Sequence, residues 1–468
     1  MDRQPVTLPR ELPVTQHSHV LVVGGGPGGI GAAVAAARHG TEVLLVEHYG
    51  FLGGMATAGE VNPFMPNHLD NESLDQGIYT EWVERMAAYG GLRSVASRVF
   101  DPNVARLAAE DMCLEAGVRL LYHHRAAHVE MRQRRIEGVV LHSKSGLTGA
   151  RGRVVVDATG DGDVAALAGA RFQFGSETSG HAQPMTLCFK LKLDRRDAPA
   201  DAAQSDLYLL MREQMGRIQE VYTAAKAAGR IECPRENVLV FRGVDDDVVH
   251  FNTTRVILRK ATDGVALSEA EIEARRQLRQ IVKVLQEEVP LFRHARIHSI
   301  APQIGIRESR RIVGRACVTL EDYKVARRYP DAVARVTYPI DIHNPSGTGT
   351  TIEHLPKGQW YEIPFEALLP ADVDNLVVGS RCISVDHAVH SSMRVMPPVC
   401  SLGQAAGTAA ALAVRQGLDV WQVERGQLRQ RLLAQGRNLV AFAEPGAASA
   451  GEAVAAQAAR GRAANFTA

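Results

Sequence analysis

Aromatic residues are scarce in this chain of 468 residues, at 5% of positions. A surface that stacks nucleobases needs them in clusters, so single-strand nucleic-acid binding is disfavoured. Neither sign of charge is in surplus, with Lys plus Arg at 53 and Asp plus Glu at 52. That balance leaves no basic footprint for nucleic acid and no acidic tail. The cysteines (Cys113, Cys188, Cys233, Cys317, Cys382 and Cys400) are dispersed, the nearest two lying 18 residues apart. Without CxxC-type spacing, no local zinc site or iron–sulfur cluster is expected, and the thiols read as reduced and mostly buried. No run of 18 apolar residues is present, which argues against a helical membrane span. Residues 1–18 carry three prolines and no apolar segment. They read as an N-terminal tail, not a signal peptide. The expected setting is the cytoplasm and the expected partner a small-molecule substrate, with no metal.

At 46% hydrophobic, the chain can bury a large core, and its length allows two or three domains. HVLVVGGGPGGIG, residues 19–31, runs an apolar strand (Val20–Val23) into a glycine turn and an alanine-rich helix (28–39). A second apolar strand, 41–46, ends at Glu47. Strand, glycine turn, helix, strand and acid make a βαβ unit for a dinucleotide. In the GxGxxG pattern Gly24 permits the tight turn, Gly26 lets the backbone approach a pyrophosphate, and Gly29 brings helix against strand. Glu47 stands at the distance expected of the acid that accepts from ribose hydroxyls. The helix start supplies N–H groups for the phosphates.

Three more signals follow: GFLGGMATAG after Glu47, VVVDATGDGDVA near 154–165, and NLVVGSRCIS followed by a Gly/Ala helix starting near Val399. This ordered set resembles the FAD-binding flavoproteins of the glutathione-reductase type. More narrowly it resembles the FAD-dependent oxidoreductases related to fumarate reductase flavoproteins and the heterodisulfide reductase A subunit. The resemblance also rests on IGIRESRRIVG, YPIDIHNPSG and DHAVHSSMRVMPP, and spans residue 19 to about 415. The clustered cysteines of heterodisulfide reductase A subunits are absent, which removes the basis for a cluster. The resemblance implies FAD, and an α/β fold: a Rossmann-like FAD-binding domain with a parallel sheet, plus an inserted α+β substrate domain. The expected division is a tail (1–18), the first part of the FAD domain (19–171), a substrate or cap domain (172–303), the returning FAD domain with C-terminal helices (304–440), and a flexible tail (441–468). It further implies that Gly24, Gly26, Gly29 and Glu47 hold the ADP half. Gly53, Gly54, Met55 and Ala56 would follow the pyrophosphate and flavin ring. Val129 would meet the adenine, Ala158, Thr159 and Gly160 would form the late turn, and Gly379, Ser380 and Arg381 would approach the ribityl chain and phosphates. The C-terminal helix would aim its positive end at the flavin.

Flavin chemistry leaves the protein to supply orientation, a proton acceptor or donor, and charge. Asp341 and His343 alternate on one strand and so share a face. They read as a general-base pair, with His343 the base, or else as a turn cap and a core histidine. Arg307 is the best anion clamp in its arginine-rich stretch, against the alternative of a salt-bridged element end. His387, His390 and Arg394 precede the flavin-facing helix and are candidates to line the substrate pocket. His390 and Cys382 are also candidates for a covalent flavin link. The expected activity is oxidation of a C–OH or C–N bond of a small polar metabolite by hydride transfer to flavin N5. The alternatives are reduction of an activated C=C bond with an arginine as proton donor, and a flavoprotein that mainly binds a partner.

Overall fold

The computed structural model describes residues 11–94, 98–200 and 206–439. The tail expected over 441–468, and residues 1–10 of the N-terminal tail, lie outside them. The run Val20–Val23 is fully buried, as a central parallel strand covered on both faces must be. The strand itself begins at Val14. Its first six residues alternate between half-buried and exposed, and residues 14–18 pair in parallel with Gly149–Gly152. Residues 14–18 are therefore sheet, not tail. The alternation is that of a strand with one wet face, and its polarity hid it.

The chain turns at Gly24 (φ +104°) into the helix Pro27–Arg38 and returns as the strand Val43–Val46. Helices Ile78–Ala88 and Pro102–Glu115 follow, the latter capped by Asp101. The main sheet runs Arg119–Leu121, Val43–Val46, Val14–Val23, Gly146–Asp157, Arg135–Ser143, Arg125–Arg132. On its side away from Val14–Val23, Gly146–Asp157 serves two neighbours: its first half pairs antiparallel with Arg135–Ser143, and its end pairs in parallel with the late strand Leu376–Val378. The carboxyl ends of the parallel strands thus share one edge, where ligands of such sheets bind.

A second, antiparallel sheet runs Val240–Arg242, Val248–Phe251, Phe189–Lys192, Arg296–Ile300. Helix Gly264–Glu288 covers it, burying Ala270, Ala274, Leu278, Ile281 and Leu285 at helical spacing. These elements have their own hydrophobic core, and Val61 packs against both cores. The architecture is α/β: a Rossmann-like parallel sheet with an inserted α+β unit. No helix among the described residues is long and apolar enough to cross a membrane.

The C-terminal helix spans Met396–Gln416, three residues longer at its start than expected. Pro397 and Pro398 occupy its first turn, where a missing N–H costs no intrahelical bond. This helix packs on Pro27–Arg38 backbone to backbone. A Cβ on Gly403 would lie 1.9 Å from the Gly28 carbonyl oxygen, and one on Gly407 would lie 2.0 Å from that of Ala32. Gly403→Ala is therefore expected to destabilise the protein by about 3 kcal/mol or more, because the atom it meets is backbone. Gly216→Ala, at an exposed position in the first turn of the helix Met215–Ala227 with nothing within 4 Å, should be neutral or stabilising by about 0.5 kcal/mol. Urea unfolding of both variants checks the contrast.

Candidate active site

A cavity of about 1080 Å³ lies between the carboxyl edge of the parallel sheet and the inserted unit. That is the upper end of the range for cofactor sites. Its floor is the glycine turn: Gly24, Gly26 and Gly28 line it, and Gly26 caps the helix Pro27–Arg38 with no side-chain bond. The leading N–H groups of that helix are left for an anion. Gly24 admits no side chain, since a Cβ would stand 2.4 Å from the Ala158 carbonyl oxygen. Gly29 lies behind the floor, where a Cβ would meet the Gly24 oxygen at 1.8 Å.

Glu47 lines the cavity with both oxygens already held. Oε2 accepts from the Gly25 N–H (2.6 Å) and Oε1 from the Tyr49 N–H (2.9 Å). The carboxylate's direction is thus set before any ligand binds. Ala158, Thr159 and Gly160 form the opposite lip. Asp157, fully buried below, holds that turn: Oδ1 accepts from the Thr159 N–H (3.0 Å) and hydroxyl (2.7 Å), and Oδ2 from the Ala165 N–H (2.8 Å). Burial outweighs these bonds and pushes its carboxyl up to about 6. Arg381 lines the cavity beside Ser380 and donates to Asp161 Oδ1 at 2.5 Å. Gly54 and Met55 line it too, whereas Gly53 is turned inward as a left-handed cap (φ +110°) and Ala56 is core. Gly379 lies under the Gly28 backbone, outside the lining.

Val129 does not reach the cavity. It is buried in the sheet opposite Val139, and His124, Arg125 and Ala126, at the start of its strand, form the wall instead. The strand runs antiparallel to its neighbour, so only its first residues stand near the binding edge.

The far end of the cavity is built from the inserted unit and the hairpin Ile340–His343/Thr350–Glu353. The hairpin is pinned by two backbone bonds, Asp341 N–H to Ser391 Oγ (3.0 Å) and His343 N–H to Gln183 Oε1 (3.2 Å). Asp341 and His343 face the cavity together, with Oδ2 3.6 Å from Nε2. Tyr338 donates its hydroxyl to the same oxygen at 3.4 Å, and Arg394 stands 3.8 Å from it. His343 Nδ1 lies 3.3 Å from an Arg255 Nη2 and 3.1 Å from the Thr350 hydroxyl. Arginine has only donors, so Nδ1 is the bare nitrogen and Nε2 carries the hydrogen toward Asp341. Burial, then Arg307, Arg394, Arg235 and Arg255, hold the imidazole far below its ordinary range, and it is neutral. Arg307 lines the cavity and donates to Pro184 O (2.8 Å), Thr186 Oγ1 (2.6 Å) and Asn252 Oδ1 (3.2 Å). Burial, with Arg394 and Arg235 nearby, pushes its guanidinium down to about 9.

The other two candidate histidines, His387 and His390, are not brought to the cavity. His387 Nδ1 is bound to Glu308 Oε1 at 2.8 Å, and Glu308 also takes Arg311 at 2.6 Å. His390 is wholly buried in its helix, with both ring nitrogens unpartnered. Neither it nor Cys382, whose thiol is buried beside Ser380, lines the cavity. The helix His387–Met393 turns His387 to Glu308 and His390 into the core, and delivers only Arg394, at its end, to the site. Arg235, Asn252 and Tyr338 line the far end without having been anticipated. Arg235 and Asn252 sit in no motif, and Tyr338, though it opens YPIDIHNPSG, was not singled out; the folding of the inserted unit onto the hairpin brings the three together.

An uncapped helix start over a side-chain-free turn, with an acid at the end of the second strand, fits a dinucleotide. The late strand and its turn complete the cradle of a flavoprotein. The chain belongs to the FAD dependent oxidoreductase family, whose profile matches residues 19–432. It is an oxidoreductase and its cofactor is FAD. No curated protein matches the sequence. Solved structures similar to it include a geranylgeranyl bacteriochlorophyll reductase-like protein from Thermoplasma acidophilum (12% identity, 90% of this chain and 84% of that one, TM-score 0.41). They also include an anhydrotetracycline hydroxylase from Streptomyces rimosus (12%, 90% and 68%, 0.42) and an L-proline dehydrogenase from P. horikoshii (11%, 91% and 100%, 0.39). These likenesses are of fold alone.

The raised carboxyl of Asp157 has a consequence for stability. Its unfolded counterpart ionises near 3.8, so the unfolded chain sheds this proton first. Stability from this group is present at low pH and is lost as pH rises from about 4 to about 6. Relative to Asp157→Asn, the wild type should lose up to about 1.4 kcal/mol per pH unit across that window. Urea unfolding of both proteins from pH 4 to 7 checks this, and parallel slopes would contradict it.

Proposed function

We propose that the enzyme is a dehydrogenase or oxidase acting on a C–OH or C–N bond of a small polar metabolite, with Asp341 as the proton acceptor. The observation that carries this reading is the Asp341–His343 pair on the cavity wall, 3.6 Å apart, with His343 Nδ1 beside Arg255, which can only donate. Nε2–H points at Asp341, and Nδ1 is occupied by Arg255 and Thr350. The base role expected of His343 therefore passes to its neighbour, and His343 becomes a positioning residue that orients the carboxylate. Bound FAD supplies the two-electron acceptor for the hydride. As the C–H bond gives up its hydride, the hydroxyl or amine proton goes to Asp341, leaving a carbonyl or imine product. Arg307 attracts the anionic part of the substrate, while Arg394 stands beside the Asp341 carboxylate. Tyr338 holds the Asp341 oxygen in place.

A second reading, reduction of an activated C=C bond, draws on one observation. Arg307 is depressed to about 9, which makes it a better proton donor than an ordinary arginine.

Anaerobic stopped-flow mixing of the flavoprotein with a panel of hydroxy and amino acids tests the first reading. With a reducing substrate, Asp341→Asn should keep its FAD and slow flavin reduction by about two orders of magnitude or more. His343→Gln should cost about tenfold. A larger loss in the histidine variant would return the base role to His343. Reoxidation of the reduced protein by unsaturated acids without oxygen, abolished in Arg307→Gln, would favour the second reading.

A further inference from the structure

Four guanidinium groups stand at or behind the far end of the cavity, and their charges are unequally balanced. Arg255, 1% exposed, is paired with Glu236 at 3.3 Å. Arg394 is paired with Asp341 at 3.8 Å. Arg307 and Arg235 have no carboxylate partner among the described residues. Arg307 gives three N–H groups to the neutral acceptors Pro184 O, Thr186 Oγ1 and Asn252 Oδ1. A guanidinium has five, so two remain. Arg235 is 4% exposed and lines the cavity. Its Nε donates to Asn237 Oδ1 at 3.2 Å, and no described residue accepts from its Nη atoms. Its loop is held in place by the Tyr222 hydroxyl, which donates to the Arg235 carbonyl oxygen at 3.0 Å. Burial and neighbouring positive charge depress both guanidiniums. Buried cations left without counter-charge are costly unless an anion arrives to neutralise them.

Resting on the oxidoreductase reading above, we propose that the substrate is a dicarboxylate, its two carboxylates bound by Arg235 and Arg307. Two uncompensated charges call for two negative ones. The free N–H edge of each planar guanidinium matches a carboxylate in shape and hydrogen-bond pattern. Arg394 and Asp341 neutralise each other and leave the carboxylate of Asp341 for the proton.

Isothermal titration calorimetry of the FAD-loaded enzyme tests this, with succinate, butyrate and inorganic phosphate as probes at matched ionic strength. Succinate is expected to bind about tenfold or more tightly than either of the others. Arg235→Gln, with its FAD content checked by released flavin, should reduce succinate to the level of butyrate. Arg235→Lys, which keeps the charge, should retain part of the preference. Equal binding of succinate and butyrate to the wild type, or undiminished succinate binding to Arg235→Gln, overturns the proposal. Phosphate binding more tightly than succinate overturns the dicarboxylate in favour of a phosphate-bearing substrate. If Arg235→Gln does not accumulate as a flavoprotein, the succinate-to-butyrate ratio in Arg307→Lys decides in its place: an unchanged ratio overturns the proposal and a lowered one supports it. Calorimetry reads binding without electron transfer, so the two readings fail separately. Succinate held through Arg235, with no hydroxy or amino diacid reducing the flavin, would overturn the oxidation reading alone. Flavin reduction by monoanionic acids without dependence on Arg235 would overturn the dicarboxylate alone.

Discussion

The structure depends on one close approach of backbone to backbone. The helix Pro27–Arg38 is wedged between the turn after Leu376–Val378 and the C-terminal helix, and no side chain separates them. Gly28 faces the Gly379 carbonyl on one side and Gly403 on the other, while Gly24 faces the Ala158 carbonyl. Interiors pack at crystal-like density, so the geometry of this junction has almost no slack. It brings chain segments more than 350 residues apart to a single edge of the sheet. The same contact that seats the glycine turn also sets where Arg394 and Met396 enter the cavity.

At the far end of the cavity, electrostatics decides which groups can do chemistry. Arginines come from four separate segments: the loop before Val240–Arg242, the turn after Val248–Phe251, the stretch after Arg296–Ile300, and the end of the helix His387–Met393. Most of their anchors are neutral oxygens, which fix direction without cancelling charge. A neutral imidazole in such a field resists taking a proton, so His343 is poorly placed to be a base and well placed to hold one. Asp341, whose carboxylate faces the cavity beside Arg394 and the Tyr338 hydroxyl, is the group of the pair left to face a substrate. The order of roles within the pair follows from the surrounding charge, not from the residue types.

The βαβ unit, the glycine turn, Glu47 and the late turns were legible because each is a local pattern with a mechanism: apolar runs make buried strands, and glycine is required where a Cβ would strike backbone. Arg307, Asp341 and Arg394 were legible as candidates because they stand in family motifs, and the fold brings all three to the cavity. Val129 was misplaced because a strand's sequence does not tell which of its residues reaches the binding edge. His387 and His390 were misplaced because helical spacing puts two residues on one side without saying what that side faces, and here it faces Glu308 and the core. Residues 14–18 were missed because a half-wet strand looks like a polar tail until its partner, Gly149–Gly152, is known.

By itself the sequence determined that a dinucleotide would be held at the end of a parallel sheet, and by resemblance that it would be FAD. The strand–turn–helix signal is short-range and depends on residue size and backbone freedom at a few consecutive positions. Only the tertiary structure decided what stands opposite that cradle. Arg235, Arg255 and Thr350 belong to no pattern, and Tyr338 stands in one without its contact to Asp341 being readable from it. Which nitrogen of His343 carries the hydrogen, and which arginines lack a counter-charge, are properties of neighbours brought together by folding, and charge is balanced through space, not along the chain.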